Sequence, residues 1–67
     1  MMVIGLLGFG TVGGGVYKLA AARTDMTVKY VLDLRQIPEL GDKLVHDFAA
    51  IVNDPEVDTV VEVLGGL

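Results

Sequence analysis

Apolar positions along the chain change period several times, and each change marks an element. Val3 to Leu7 is a continuous apolar run, the pattern of a strand covered on both faces, and is expected to be the central strand of a sheet. From Thr11 the period lengthens. Val12, Val16, Leu19, Ala20 and Arg23 recur at helical spacing with Lys18 and Arg23 placed to face water, so a helix is predicted from Thr11 through Arg23, ended by Thr24-Asp25. Thr27-Val28-Lys29-Tyr30-Val31-Leu32 is rich in β-branched and aromatic residues and partly alternates, which reads as a second strand. Leu34 to Asp42 contains Pro38 and Gly41 and holds no period, hence a loop. Lys43 to His46 reads as a short third strand. Asp47 then caps a helix over Phe48 to Asn53, whose apolar members Phe48, Ile51 and Val52 fall at i, i+3 and i+4. Pro55 cannot continue that helix. Thr59 to Leu64 is the most strand-like run in the chain and leads into Gly65-Gly66.

The order is strand, helix, strand, short strand, helix, strand: the α/β class, and about half of a doubly wound parallel sheet. In such a unit a right-handed crossover returns the second strand beside the first with both carboxyl ends at one edge. Asp33, just beyond the second strand, is therefore expected near the turn that follows Leu7.

That turn carries the chemistry. Gly8, Gly10 and Gly13 are spaced G-x-G-x-x-G between a strand and a helix start, the context in which the spacing marks a dinucleotide site. Gly8 lets the chain reverse sharply, Gly10 lets a diphosphate lie against bare backbone, and Gly13 lets the helix pack closely on the strand. The amides and positive dipole end of the helix beginning near Thr11 favour the same anion. Gly14 and Gly15 extend the run, although glycine in a helix costs roughly 1 kcal/mol relative to alanine; close approach of a ligand or another backbone would explain them.

Two residues past the second strand point to opposite cofactors. Asp33 lies 20 residues after Gly13, the offset at which an acidic side chain receives the ribose hydroxyls of NAD, whereas an arginine here, Arg35, accommodates the 2′-phosphate of NADP. Asp33 is nearer the strand end, which leans to NAD; the cofactor is NAD or NADP. Gly65 and Gly66, past the last strand, would let the nicotinamide side approach closely, or form a plain turn. Glu62, the only charge inside that strand, is expected to be buried and to need hydrogen-bond partners, either a substrate or, in a structural role, a neighbouring backbone amide. His46, the lone histidine, reads as a strand-end residue. No catalytic constellation and no metal-ligand cluster is visible.

Composition narrows the partners. Net charge is −4 and the pI near 4.5, with five basic residues scattered along the chain, so no nucleic-acid footprint exists. The apolar start is too short for a membrane span and lacks the features of a signal peptide. Absent cysteines agree with a reducing compartment, and the cytoplasm is the expected location. At 67 residues, 52% apolar and mean hydropathy +0.59, the chain is richer in apolar residues than so small a domain readily covers. It is expected to be a piece of a larger protein, or one that buries its faces on another copy.

Two stretches together resemble one family. Gly5 to Val16, GLLGFGTVGGGV, is similar to the amino-terminal fingerprint of homoserine dehydrogenases, and Asn53 to Gly66, NDPEVDTVVEVLGG, to their N-D-P-x-I-D-x-V-V-E-V-x-G-G segment. The resemblance implies the first half of a Rossmann NAD(P)-binding domain over residues 1–67, with the substrate and catalytic domain absent. It also implies an oxidoreductase that interconverts L-homoserine and L-aspartate 4-semialdehyde on the way to threonine, methionine and isoleucine, commonly as a dimer. Carried over by position, Gly8, Phe9, Gly10, Thr11, Val12 and Gly13 would contact the diphosphate, with Gly65 and Gly66 near the nicotinamide. The amino-acid substrate would be bound only by the full-length enzyme, and this fragment alone would be inactive. The alternative is a stand-alone dinucleotide-binding or sensing module without catalysis.

Overall fold

A computed structural model describes residues 1–63 of the chain. The elements are β1 (Met2–Leu7), α1 (Thr11–Ala21), β2 (Met26–Leu32), a 3-10 segment (Pro38–Lys43), β3 (Leu44–Val45), α2 (Ala49–Val52) and β4 (Thr59–Glu62). All strand pairings are parallel, in the order β3-β2-β1-β4. This is the first-half order of a doubly wound sheet: the chain builds outward from β1 in one direction, then jumps back to add β4 on the other side. The crevice between the carboxyl ends of β1 and β4 is the point of that reversal.

The core lies on the α1 face. Ile4, Leu6, Val28 and Val31 of the two central strands are buried there against Ala20, Ile37 and Leu40, with Val16 and Tyr17 packed on them. Neighbouring residues of a strand face opposite ways, so Gly5 points to the other face, where it meets Ile51 of α2. The two helices thus cover opposite faces of one sheet. At Lys29 the β1–β2 register slips by one residue, Ile4 pairing Val28 and Gly5 pairing Tyr30. That bulge explains why alternation in β2 is only partial, with Val28 and Val31 on one side. Lys43 Nζ donates to the Val28 carbonyl beside it at 3.1 Å, and Lys29 pairs with Asp54 and Glu56, each at 2.6 Å. Tyr30 Oη donates to the same Asp54 at 2.5 Å.

Several expectations are corrected by the packing. The inward stripe of α1 is Gly13 and Ala20, both buried, with Val16 and Tyr17 half-buried, whereas Val12 and Leu19 are 66% and 63% exposed. Helix α1 also ends earlier, at Ala21. In α2, a single short turn whose first amide, Ala49 N, is capped by Asp47 Oδ1 at 2.9 Å, only Ile51 is buried; Phe48 and Val52 are exposed. Glu62 is exposed as well, because β4 borders the sheet and that side of it faces out. Part of the expected loop and the first residue of the expected third strand form a 3-10 helix, Pro38–Lys43, kinked at Gly41, which leaves Leu44–Val45 as β3. No helix among the described residues is long and apolar enough to cross a membrane.

Candidate functional site

The glycine turn sits where β1 leaves the sheet. Gly8 takes φ 104, a conformation that side chains resist, and its amide still donates to Leu32 O at 2.8 Å, so the turn stays stitched to the end of β2. Gly13 is held against that turn. A Cβ at residue 13 would lie 2.4 Å from the Gly8 carbonyl oxygen and 3.1 Å from Val63 Cγ2, so only glycine allows α1 to start this close to the strand. Gly10 is different: among the described residues nothing lies within 4 Å of where its Cβ would be.

Gly10 is also the N-cap of α1, in an extended conformation and with no side chain capping the helix. The first intrahelical bond runs from Gly14 N to Gly10 O at 2.8 Å, so the amides of Thr11, Val12 and Gly13 precede the i→i−4 ladder. The first turn has no acidic residue, which leaves its positive dipole end uncompensated. Among the described residues the extension by Gly14 and Gly15 has no packing reason, since their Cβ positions also meet nothing there within 4 Å.

Asp33 arrives beside this turn, as its place after β2 requires, and it arrives with Arg35. Asp33 Oδ2 accepts the Phe9 amide at 3.0 Å and Arg35 Nη2 at 2.9 Å; Oδ1 accepts Arg35 N at 2.9 Å and Nε at 3.0 Å. Arg35 Nη2 also donates to the Phe9 carbonyl at 3.0 Å. The guanidinium above all, and then the two amides, hold the Asp33 carboxyl far below the usual carboxylate range. The side chain of Asp33 is only 12% exposed and that of Arg35 is 61% exposed. The two residues that pointed to opposite cofactors are therefore one ion pair. Phe9 turns its ring inward, edge-on to Tyr17 with centroids 5.5 Å apart.

Beyond the pair lies a groove of about 440 Å³, walled by Leu32, Leu34 and Phe48 and edged by Asp33, Arg35, His46 and Asp47. His46 follows β3 as expected and sits with Nδ1 2.8 Å from the Asp33 carbonyl oxygen. Sequence reasoning missed Leu34, His46 and Phe48 as a set; the only available signal was that exposed apolar residues follow two adjacent strand ends. It also missed Gly5, an isolated glycine in an apolar strand run, which is itself a mark of close packing. Gly65 and Gly66 lie outside the described residues. No group of His, Asp and Glu among the described residues is arranged to hold a metal ion.

Curated proteins similar to this chain share one name. Homoserine dehydrogenase of Bacillus subtilis is 37% identical across 96% of this chain. Those of Methylobacillus glycogenes and Synechocystis are 35% and 36% identical across 94% and 96% of it. The chain spans only 18 to 19% of the length of these relatives, and the matched part is their amino-terminal one. No family model matches the chain, and neither does any solved structure.

Proposed function

We propose, from a chain similar along nearly all its length to the amino-terminal part of homoserine dehydrogenases, that it is the NAD(P)-binding portion of such an enzyme. The complete protein would interconvert L-homoserine and L-aspartate 4-semialdehyde by hydride transfer to and from the nicotinamide, with the chemistry residing in the cofactor and the protein orienting it. One observation carries the cofactor part of the reading. The Gly8 to Gly13 turn lies at the carboxyl end of the central parallel strand, beside the point where the strand order reverses, and is open at Gly10. That is where open α/β sheets take ligands.

In this reading the diphosphate lies over Gly10 and the first-turn amides of Thr11, Val12 and Gly13. The adenosine extends past Asp33 and Arg35 into the groove between Leu34 and Phe48, and Gly65 and Gly66 border the nicotinamide. Residues that bind and reduce the substrate carbonyl belong to the rest of the enzyme. The test is homoserine-dependent reduction of NAD or NADP by the complete protein, read from nicotinamide absorbance. Turnover with either cofactor is expected; a folded complete protein that binds dinucleotide yet never reduces it with homoserine would remove the enzyme and leave a binding module.

A further inference from the structure

We propose that Asp33 and Arg35 act as a positioning pair that holds the Phe9 peptide, and with it the Gly8 to Gly10 turn, ready for a dinucleotide diphosphate. They are not, in this view, two competing readers of the adenosine 2′ position. The inference rests on the dinucleotide reading above and concerns how that same site keeps its shape.

The turn is soft. Phe9 is flanked by glycines on both sides, and glycine loses more conformational freedom on ordering than any other residue. A turn of that composition keeps one shape only if something outside it fixes the backbone. Here both polar groups of Phe9 are fixed by residues 24 and 26 positions away: its amide donates to Asp33 and its carbonyl accepts from Arg35. The aromatic side chain is fixed separately against Tyr17.

Asp33 is fully engaged in this task. Each of its oxygens already accepts two hydrogen bonds, shared between backbone amides and the guanidinium fork. A ribose diol would have to displace Arg35 to reach it. The pair is also electrically neutral as a unit, so the attraction of Arg35 for a 2′-phosphate is largely cancelled by the carboxylate at 2.9 Å. Loss of either partner therefore disturbs the turn common to both cofactors instead of the one feature that separates them.

The experiment compares Arg35→Ala, Arg35→Lys and Asp33→Ala in the complete protein. Lysine keeps the charge but cannot span Asp33 and the Phe9 carbonyl with a planar fork. The first readout, without nucleotide, is amide hydrogen exchange of the segment containing Phe9 and Gly10. The second is calorimetric affinity for NAD and for NADP, with the KM and kcat of the turnover reaction. The pair predicts faster exchange in the turn for both Arg35 variants. It also predicts affinity for both cofactors lowered about fivefold, as for loss of one partly exposed charge-assisted hydrogen bond, with KM for cofactor raised and kcat held.

An Arg35→Ala protein that loses NADP alone, with unchanged exchange and with binding restored by Arg35→Lys, would overturn the proposal in favour of direct phosphate reading. Loss of NAD alone in Asp33→Ala would overturn it in favour of ribose reading. If Asp33→Ala fails to fold, the two variants of the exposed Arg35 still decide. Should the wild type bind neither dinucleotide, the function proposed above fails on its own, while turn exchange in the Arg35 variants still upholds or overturns the hold on Phe9.

Discussion

A methyl group at position 13 and one at position 10 should have opposite consequences, although both replace a glycine of the same motif. In Gly13→Ala the new Cβ would stand 2.4 Å from Gly8 O and 3.0 Å from Gly8 C, where ordinary contact begins at 3.4 Å. The start of α1 and the turn must separate by about 1 Å, because both opposing atoms are backbone and no rotamer change absorbs the overlap. Gly8 resists that movement, being fixed at φ 104 with its amide bonded to Leu32 O. Overpacking typically costs about 1–3 kcal/mol, and the rigidity of both sides argues for the upper end, about 3 kcal/mol. A 1 Å displacement of the first-turn amides should weaken dinucleotide binding as well. Gly10→Ala meets nothing within 4 Å among the described residues and keeps an extended backbone open to any residue. Its stability should stay within about 0.5 kcal/mol of wild type, while its methyl group occupies the place proposed for the diphosphate and lowers affinity at least tenfold, about 1.4 kcal/mol. Denaturant unfolding and dinucleotide titration of the complete protein measure both. A Gly13→Ala protein as stable as wild type would refute the packing argument, and unweakened binding by Gly10→Ala would refute the path of the diphosphate.

Three further outcomes are expected. Gly14→Ala should stabilise the protein by roughly 0.5–1 kcal/mol in chemical unfolding, since its Cβ position is open among the described residues; destabilisation would reveal a neighbour outside them. Gly5→Ala places a Cβ 2.6 Å from Ile51 Cγ2, so it should destabilise by about 1–3 kcal/mol, and Ile51→Ala by about 2–4 kcal/mol through the cavity it leaves. The double variant should then lose clearly less than the sum, and strict additivity in a double-mutant cycle would show that α2 does not rest on Gly5. Bonds from Lys29 and then Tyr30 hold the Asp54 carboxyl down at about 2. The unfolded chain therefore binds the extra proton first as pH falls, and this contribution is complete above about pH 4 and lost on approaching pH 2. Asp54→Asn should flatten stability against pH across that window, and an unchanged slope would count against the Lys29–Asp54 pair.

The amino-acid pattern alone determined the element order, the parallel α/β class and the location of the turn. Each of these depends on short-range physics: an unbroken apolar run for β1, the change of period at Thr11, β-branched residues in β2 and β4, and glycines where the backbone has no other choice. The resemblance carried by GLLGFGTVGGGV and NDPEVDTVVEVLGG was legible for the same reason, being local in sequence.

Tertiary structure decided whatever depends on which residues meet. Val12 and Leu19 fit a helical period as well as Val16 and Ala20 do, and only the angle at which the Gly8 turn delivers α1 onto the sheet turns Gly13, Val16, Tyr17 and Ala20 inward in their place. The need for Gly5 comes from Ile51, brought over the sheet by the crossover to β4. Asp33 and Arg35, read separately, argued for different cofactors; folded, they share one set of bonds and close on Phe9. Periodicity records the face a residue can present, whereas a contact between residues far apart in the chain exists only once the sheet has set their distance.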